Sequence, residues 1–262
     1  MILFKRVSES FKRIEGREWL LLGLETLGVL AGILIAFELQ EWGSRRSESA
    51  RHRERLERLF EESEQDVAVV RSMRNIMREL GDRESRFATI LNAGQCPPAN
   101  IWSAAGTVNI LPSIAPPRSV YEEMMGSGGL TSIPDKRVRD AIKSFSAYLT
   151  FANGQNEYFR SVQVQPVPLD DKRLRLGFRA DSEDLETSEY DREPLCGDSA
   201  FRNRLFEATA THLKVVSYHE TLTDHAIAMC GRIGASLQRS CDPPFGGPLT
   251  GNDLKTLQAA IR

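Results

Sequence analysis

The most constraining feature of this sequence is one long apolar run, "WLLLGLETLGVLAGILIAFELQEW", from Trp19 to Trp42. Its apolar part, Leu20 to Leu39, spans about 30 Å as a helix, which matches the hydrocarbon thickness of a bilayer. Trp19 and Trp42 then lie at the two membrane interfaces, where amphipathic rings prefer to be. The run is too long for the core of a signal peptide, and unlike a soluble core helix it is apolar on every face. It therefore predicts one uncleaved transmembrane helix at 19–42.

Composition limits what the remaining chain does. The protein has 262 residues, of which 27% are charged, and its net charge is −2. These values are close to those of a soluble protein, so only one short segment belongs in lipid. Without a basic excess there is no electrostatic pull towards nucleic acid. We therefore expect a lipid bilayer, and no nucleic acid, among the partners.

Orientation follows from the short tail at 1–18. The tail carries five basic residues, namely Lys5, Arg6, Lys12, Arg13 and Arg17. A similar number follows the span, but long domains cross membranes largely regardless of charge, whereas a short basic tail resists transfer. We expect the tail in the cytoplasm, where it is too short to be an output domain, and residues 43–262 outside the cytoplasm.

Four cysteines, Cys96, Cys196, Cys230 and Cys241, all follow the span. An even number on one side of a membrane favours disulfides in an oxidising compartment, with buried free thiols as the alternative. Cys96 and Cys241 lie in similar "QCPP" and "SCDPP" loops at the ends of the first and last long helices. If those helices run parallel, Cys96 pairs with Cys241; the other two pairings remain open.

One face of the span carries an acid and three small residues. Glu25, Gly28, Gly32 and Ala36 follow a helical stripe, and Gly28-x-x-x-Gly32 lets two helices approach closely. This pattern predicts a helix-association surface. Glu25 has three interpretations: an acid that reaches back to the cytoplasmic interface, a protonated or hydrogen-bonded contact, or part of an ion path in an oligomer.

Beyond the span, apolar residues recur at threes and fours in a roughly heptad pattern typical of coiled coils. With Ser63 in the same register, they predict one helix over about 43–92; the stripe is Leu56, Phe60, Ser63, Val67, Val70, Met77, Leu80, Phe87 and Leu91. The remaining pattern predicts a loop at 93–118, helices at about 119–126 and 134–160, a hairpin at about 161–179, an acidic loop at 180–197, a helix at about 199–239 and a tail at 240–262. The expected fold is mainly α, with one N-terminal transmembrane helix continuing into an elongated antiparallel helical bundle with a small β-hairpin.

Motifs for chemistry are sparse. The Gly126–Gly129 segment lacks the lysine of a phosphate loop and the order of a nucleophile elbow, so Tyr121, Ser127, Gly128 and Gly129 are interpreted as a glycine turn or a ligand contact. His212, His219 and His225 lack the i, i+4 spacing of a zinc-binding helix. We expect structural histidines, with a metal site completed by another helix as the alternative. No catalytic residue, cofactor or metal site is predicted, and we expect no enzyme.

Two segments, "GVLAGILIAFELQEW" and "SVYEEMMGSGGLTSIPDKRVRDAIKSF", resemble a family of bacterial single-pass membrane proteins known as a domain of unknown function. The matching positions in the second segment are Tyr121, Glu122, Ser127, Gly128, Leu130 and Ile133. Gly129 replaces the polar residue usual there, and residues 160–262 carry no clear likeness. The resemblance implies a bacterial cytoplasmic (inner) membrane and a periplasmic C-terminal domain, and it supplies no activity.

Three functions are consistent with these features. The first is a membrane-anchored periplasmic helical protein that binds, senses or scaffolds through a protein partner or a homo-oligomer, with any small-molecule ligand unidentified. The second is an envelope enzyme whose site is assembled from distant residues. The third is a structural spacer subunit.

Overall fold

The computed structural model describes residues 16–178 and 186–262. Most of the predicted tail at 1–18 and the first part of the predicted acidic loop lie outside the described residues. Within them the protein is mainly α-helical with one two-stranded antiparallel sheet. The chain divides into two compact units at the boundary between Glu54 and Arg55.

Helix α1 extends from Gly16 to Asn92 and includes the whole apolar run. Its N-terminal part is long and apolar enough to cross a membrane, judged by length and composition. The described side chains of that part are exposed, for example Leu24 at 69% and Phe37 at 66%. A candidate membrane span is the interpretation that both the sequence and the structure support.

Short elements follow α1. A 3-10 turn at Ala99–Ile101 and helix α2 at Ala104–Thr107 interrupt the loop predicted at 93–118. Helix α3 spans Ser119–Gly126, and a second 3-10 turn spans Gly129–Ser132. Helix α4 spans Lys136–Val162; its N-cap, Asp135, accepts a 2.8 Å hydrogen bond from the backbone of Arg137.

The hairpin is present, but its predicted position at about 161–179 is wrong. Strand β1 spans Leu174–Phe178 and pairs with β2 at Glu186–Tyr190, so Leu174 lies opposite Tyr190. The alternating segment before Asp170 forms no strand, and part of the predicted acidic loop supplies the second strand. Alternation alone does not select a pairing partner, because each strand needs a neighbour for its backbone hydrogen bonds.

The C-terminal third consists of three helices: α5 at Arg192–Cys196, α6 at Ser199–Leu237 and α7 at Gly251–Ile261. Asp198 caps α6 by accepting hydrogen bonds from the backbone of Ala200 and Phe201. The helix ends at Leu237, and its C-cap, Gln238, has a φ of 59° in the left-handed region. Helix α7 packs closely on α6, since a Cβ at Gly231 would lie 2.5 Å from Leu257.

Helices α1 and α6 run antiparallel within the Arg55–Arg262 unit. Phe60 lies against Gly234, Arg78 pairs with Glu220, and Glu84 contacts His212. The residue numbers increase along α1 while those of their partners on α6 decrease. Helix α4 is also antiparallel to α6, because Tyr148 contacts His225 and Phe151 contacts Tyr218. Apolar side chains between these helices form the core, and Phe60, Phe87, Ile142, Leu222 and Ile227 are fully buried in it.

The antiparallel pairing overturns the predicted Cys96–Cys241 disulfide. Cys96 follows the end of α1 and pairs with Cys196, with 5.4 Å between their Cα atoms. Cys241 follows the end of α6, beside Asp242, whose backbone N–H donates to Glu64 on α1. Residues 64 and 92 are separated by about 40 Å along the helix. Cys241 therefore pairs with Cys230 on α6 itself, with 5.7 Å between their Cα atoms.

Candidate functional site

A polar junction joins α1, α3 and α4, and it contains the segment that carries the predicted Tyr121 site. We call it the α3 junction: Glu62 and Asp66 on α1, Arg118 and Tyr121 at the start of α3, and Ser146 on α4. Glu62 and Asp66 are one helical turn apart and are only 6% and 4% exposed. Carboxylates are rarely buried this deeply unless partner groups compensate for the lost hydration.

Glu62 has its partners in the first turn of α3. Its carboxylate accepts hydrogen bonds from the backbone N–H groups of Val120, at 2.7 Å, and Tyr121, at 2.9 Å. The Ser119 hydroxyl donates to the same carboxylate at 3.2 Å. Arg118, at the N-cap position, makes no capping hydrogen bond through its own side chain. Glu62 therefore caps α3 from another helix and places a negative charge at the positive end of its dipole.

Arg118 connects α3 to α4. Its guanidinium carbon lies 4.5 Å from the centroid of the Tyr121 ring, and its Nη2 donates a 2.9 Å hydrogen bond to the Ser146 hydroxyl. A cation over an aromatic face is attracted by the ring quadrupole. Tyr121 thus holds an arginine in place beside the two buried acids.

Asp66 is the unusual member of the junction. Its Oδ1 has no hydrogen-bond partner among the described residues, and it borders a small niche of about 10 Å³, the room one water needs. Burial, helped by the neighbouring Glu62 carboxylate and opposed by Arg118, raises the pKa of Asp66 to about 8. Asp66 therefore keeps its proton into the neutral pH range and loses it near pH 8.

The remaining residues of the predicted glycine site form a turn. The backbone N–H of Ser127 donates to the Glu123 carbonyl and ends α3. Gly128 has a φ of +69°, which favours glycine. A Cβ at Gly129 would lie 3.3 Å from the Ser127 hydroxyl, so glycine also fits there sterically. The structure thus brings Tyr121 to the α3 junction and places Ser127, Gly128 and Gly129 in the connection to α4.

A second buried polar group lies between α1 and α6. His212 is fully buried, and its Nδ1 contacts the Glu84 carboxylate, which also accepts a 2.9 Å hydrogen bond from the Thr107 hydroxyl. Two turns further along α6, His219 is 1% exposed, and neither ring nitrogen has a hydrogen-bond partner among the described residues. Burial, helped by His212, lowers the pKa of His219 to about 4. His225 lies elsewhere, against Tyr148.

No cluster of three or more His, Cys, Asp or Glu side chains is placed to hold a metal ion within residues 16–178 and 186–262. The His212–Glu84 pair contains two such groups, both fully buried. Its geometry is that of a polar contact between helices.

The predicted association face lies on the exposed part of α1. Glu25, Gly28, Gly32 and Ala36 are all exposed, and a Cβ at either glycine would contact nothing within 4 Å. Trp42 is 61% exposed, with Arg46 5.4 Å from its ring centroid. The side chain of Trp19 lies outside the described part of the structure.

Compared with protein-family models, curated proteins and solved structures, the chain matches none of them. The resemblance to a bacterial single-pass family, drawn from the span and from the Tyr121 segment, therefore stays a prediction.

The sequence pattern indicated only some of the residues in these sites. His212 and His219 stood out by their spacing, but Glu84 did not, because one acid in a charged helix carries no local mark. Glu62 and Asp66 were also missed. Their i, i+4 spacing beside the apolar stripe was the available signal, since it places both acids on the edge of the buried face.

The proton on Asp66 has a measurable consequence for stability. Its pKa is raised in the folded state, from 3.8 to about 8, so between these values the folded protein keeps a proton that the unfolded chain loses. Stability from this group is therefore lost as pH rises. Asn at this position is neutral at every pH. The free energy of unfolding of Asp66→Asn, relative to that of the wild type, should therefore increase by about 1 kcal/mol for each unit by which the pH rises.

Denaturation between pH 5 and 7, followed by tryptophan fluorescence, measures this difference. Asp82→Asn, at an exposed position of the same helix, controls for the loss of one negative charge. A difference between Asp66→Asn and wild type that does not change with pH would show that Asp66 is ionised throughout.

Proposed function

We propose that this protein is a single-pass component of a bacterial cytoplasmic membrane that acts by binding, sensing or scaffolding. In this proposal residues 19–42 cross the bilayer, the N-terminus is cytoplasmic and residues 43–262 form a periplasmic helical domain. It acts through a protein partner or a second copy of itself.

One observation carries the proposal: every cysteine follows the apolar run, and all four are paired. Disulfides persist in oxidising compartments and are rare in the bacterial cytoplasm. The exposed apolar side chains of α1 before the cysteines supply the anchor. The five basic residues of the tail favour a cytoplasmic N-terminus.

The span offers its lateral face to other helices in the bilayer. Glu25, Gly28, Gly32 and Ala36 form one stripe on that face, and small residues allow close helix approach. An acid in the same stripe favours a hydrogen-bonded contact, because an isolated carboxylate in lipid is costly. The proposed route for any signal is lateral, from the span to a partner helix.

Sensing has a candidate element in the α3 junction. With its pKa raised to about 8, Asp66 would exchange its proton slightly above neutral pH, and its neighbours Glu62 and Arg118 hold the start of α3. A change of charge at Asp66 therefore acts on contacts that position a whole helix.

Topology can be tested with the native cysteines in intact cells. A membrane-impermeant reductant followed by an impermeant maleimide should label the protein, whereas maleimide alone should not, because all four thiols are paired. Labelling that appears only after the cells are lysed would place the domain in the cytoplasm and overturn the proposal.

Lateral association can be tested by changing the size of one glycine. Gly28→Leu and Glu25→Gln should shift the full-length protein to smaller complexes in mild detergent, measured by light scattering. Gly23→Leu is the matched control, because Gly23 lies on a different face of the same helix. Unchanged complexes for Gly28→Leu and Glu25→Gln, or an equal effect of Gly23→Leu, would exclude this stripe as the contact.

A further inference from the structure

A cleft opens on the Arg55–Arg262 unit where the C-terminal end of α4 meets the N-terminal third of α6 and the loop after α2. We call it the α4–α6 cleft, and its volume is about 200 Å³. Its polar and aromatic lining is Asn109, Tyr158, Phe159, Gln163, Glu207 and Thr211. Pockets for drug-sized ligands occupy about 300–1,000 Å³, so this cleft suits a molecule of only a few heavy atoms.

The floor of the cleft is apolar and well supported. Val108, Leu111 and Ala208 line it, and each is at most 5% exposed. Val108 and Ala208 belong to the core cluster around Trp102, and Leu111 packs with Met77 and Val215. A floor anchored in two core clusters keeps its shape, and it would contact an aliphatic group on a ligand.

The rim of the cleft is electronegative for two reasons. First, α4 ends here at Val162, and in the described part of the chain no backbone N–H caps that end; of its last carbonyls, that of Tyr158 accepts a hydrogen bond from the Ser161 hydroxyl. The last carbonyls of a helix carry the negative end of its dipole. Second, Glu207 is exposed and makes no ion pair or hydrogen bond with any described residue. Both features present negative charge to a ligand in the cleft.

In the part of the chain that the structure describes, no positive side chain lies in the cleft to offset this charge. Among the described residues, no Lys, Arg or His lines the cleft. The two arginines that lie nearest in sequence to the lining residues have partners outside the cleft. Arg160 contacts Glu157 and Ser113 at 2.9 Å, and Arg204 donates to the Pro166 carbonyl at 3.0 Å. Glu207 therefore has no counter-ion among residues 16–178 and 186–262.

Two aromatic rings complete the surroundings. Tyr158 and Phe159 both line the cleft, and their ring centroids are 5.5 Å apart. The faces of such rings attract cations. Asn109 and Gln163 add side-chain amide oxygens that accept hydrogen bonds.

We propose that the α4–α6 cleft binds a small organic cation, an alkylammonium group whose nitrogen lies between Glu207 and the C-terminal end of α4. Its alkyl chain packs on Val108, Leu111 and Ala208. The group comes either from a free amine or from a lysine side chain of another protein. This site is independent of the membrane topology and of the association face on the span.

Calorimetric titration of the full-length protein in lipid nanodiscs tests the proposal, with empty nanodiscs as the blank. The probe is n-butylammonium chloride, and n-butanol is its uncharged analogue of similar shape. We expect saturable binding of n-butylammonium that is at least tenfold tighter than that of n-butanol and that weakens as salt is added. Equal binding of the two probes, or no saturable binding of the amine, overturns the proposal.

Variants locate the binding. Glu207→Gln should weaken n-butylammonium binding at least tenfold, because it removes the carboxylate and keeps the shape. Glu79→Gln removes an exposed carboxylate from α1, outside the cleft, and should leave the affinity unchanged. Wild-type affinity in Glu207→Gln would place the amine elsewhere and contradict the proposal.

A third probe, Nα-acetyl-lysine methylamide, distinguishes the two sources of the cation. Binding at least tenfold tighter than n-butylammonium identifies a lysine side chain as the preferred occupant. Equal or weaker binding identifies a free amine.

Discussion

The antiparallel pairing of α1 with α6 is the constraint on which the rest of the domain depends. Its centre is the fully buried contact between Glu84 and His212. A shift of one helical turn would leave both groups buried without their partner, which costs several kcal/mol. Close packing fixes the end near Gly234, where a Cβ would lie 2.8 Å from Phe60. Polar and steric requirements therefore select the same register.

This register determines where the other elements can lie. It brings the end of α6 back beside Glu64, which makes the Cys230–Cys241 disulfide local and leaves Cys96 to pair with Cys196. It also brings the C-terminal helix against α1. There Asp253, in the first turn of α7, accepts hydrogen bonds from Arg71 and Arg74. Burial opposes its ionisation, but the two arginines outweigh burial and lower the pKa of Asp253.

The mainly α fold with a small hairpin was predictable because its signals are local. Twenty apolar residues predict a span, and the stripe from Leu56 to Leu91 predicts the helix that follows it. The hairpin position and the cysteine pairing depend on partners far away in sequence. Strand β1 pairs with a segment that reads as an acidic loop, and Cys96 bonds to a residue 100 positions away. No local pattern contains such information.

The candidate sites divide in the same way. Tyr121 and the histidines were visible by motif and spacing, whereas the acids that contact them, Glu62 and Glu84, come from a helix in which charged residues are abundant. The α4–α6 cleft is a product of tertiary structure alone, since its lining comes from three separate segments. The candidate sites therefore depend on which segments the tertiary fold brings together.

Distances between spin labels test that register most directly. Labels at Thr89 and Leu213, which line one shallow groove, should be close, whereas labels at Thr89 and Ser236 should be about 40 Å apart along the helices. The native cysteines are paired, so labels attach only at the introduced thiols. Thr89 lying nearer to Ser236 than to Leu213 would mean that α1 and α6 run parallel, and it would contradict the account.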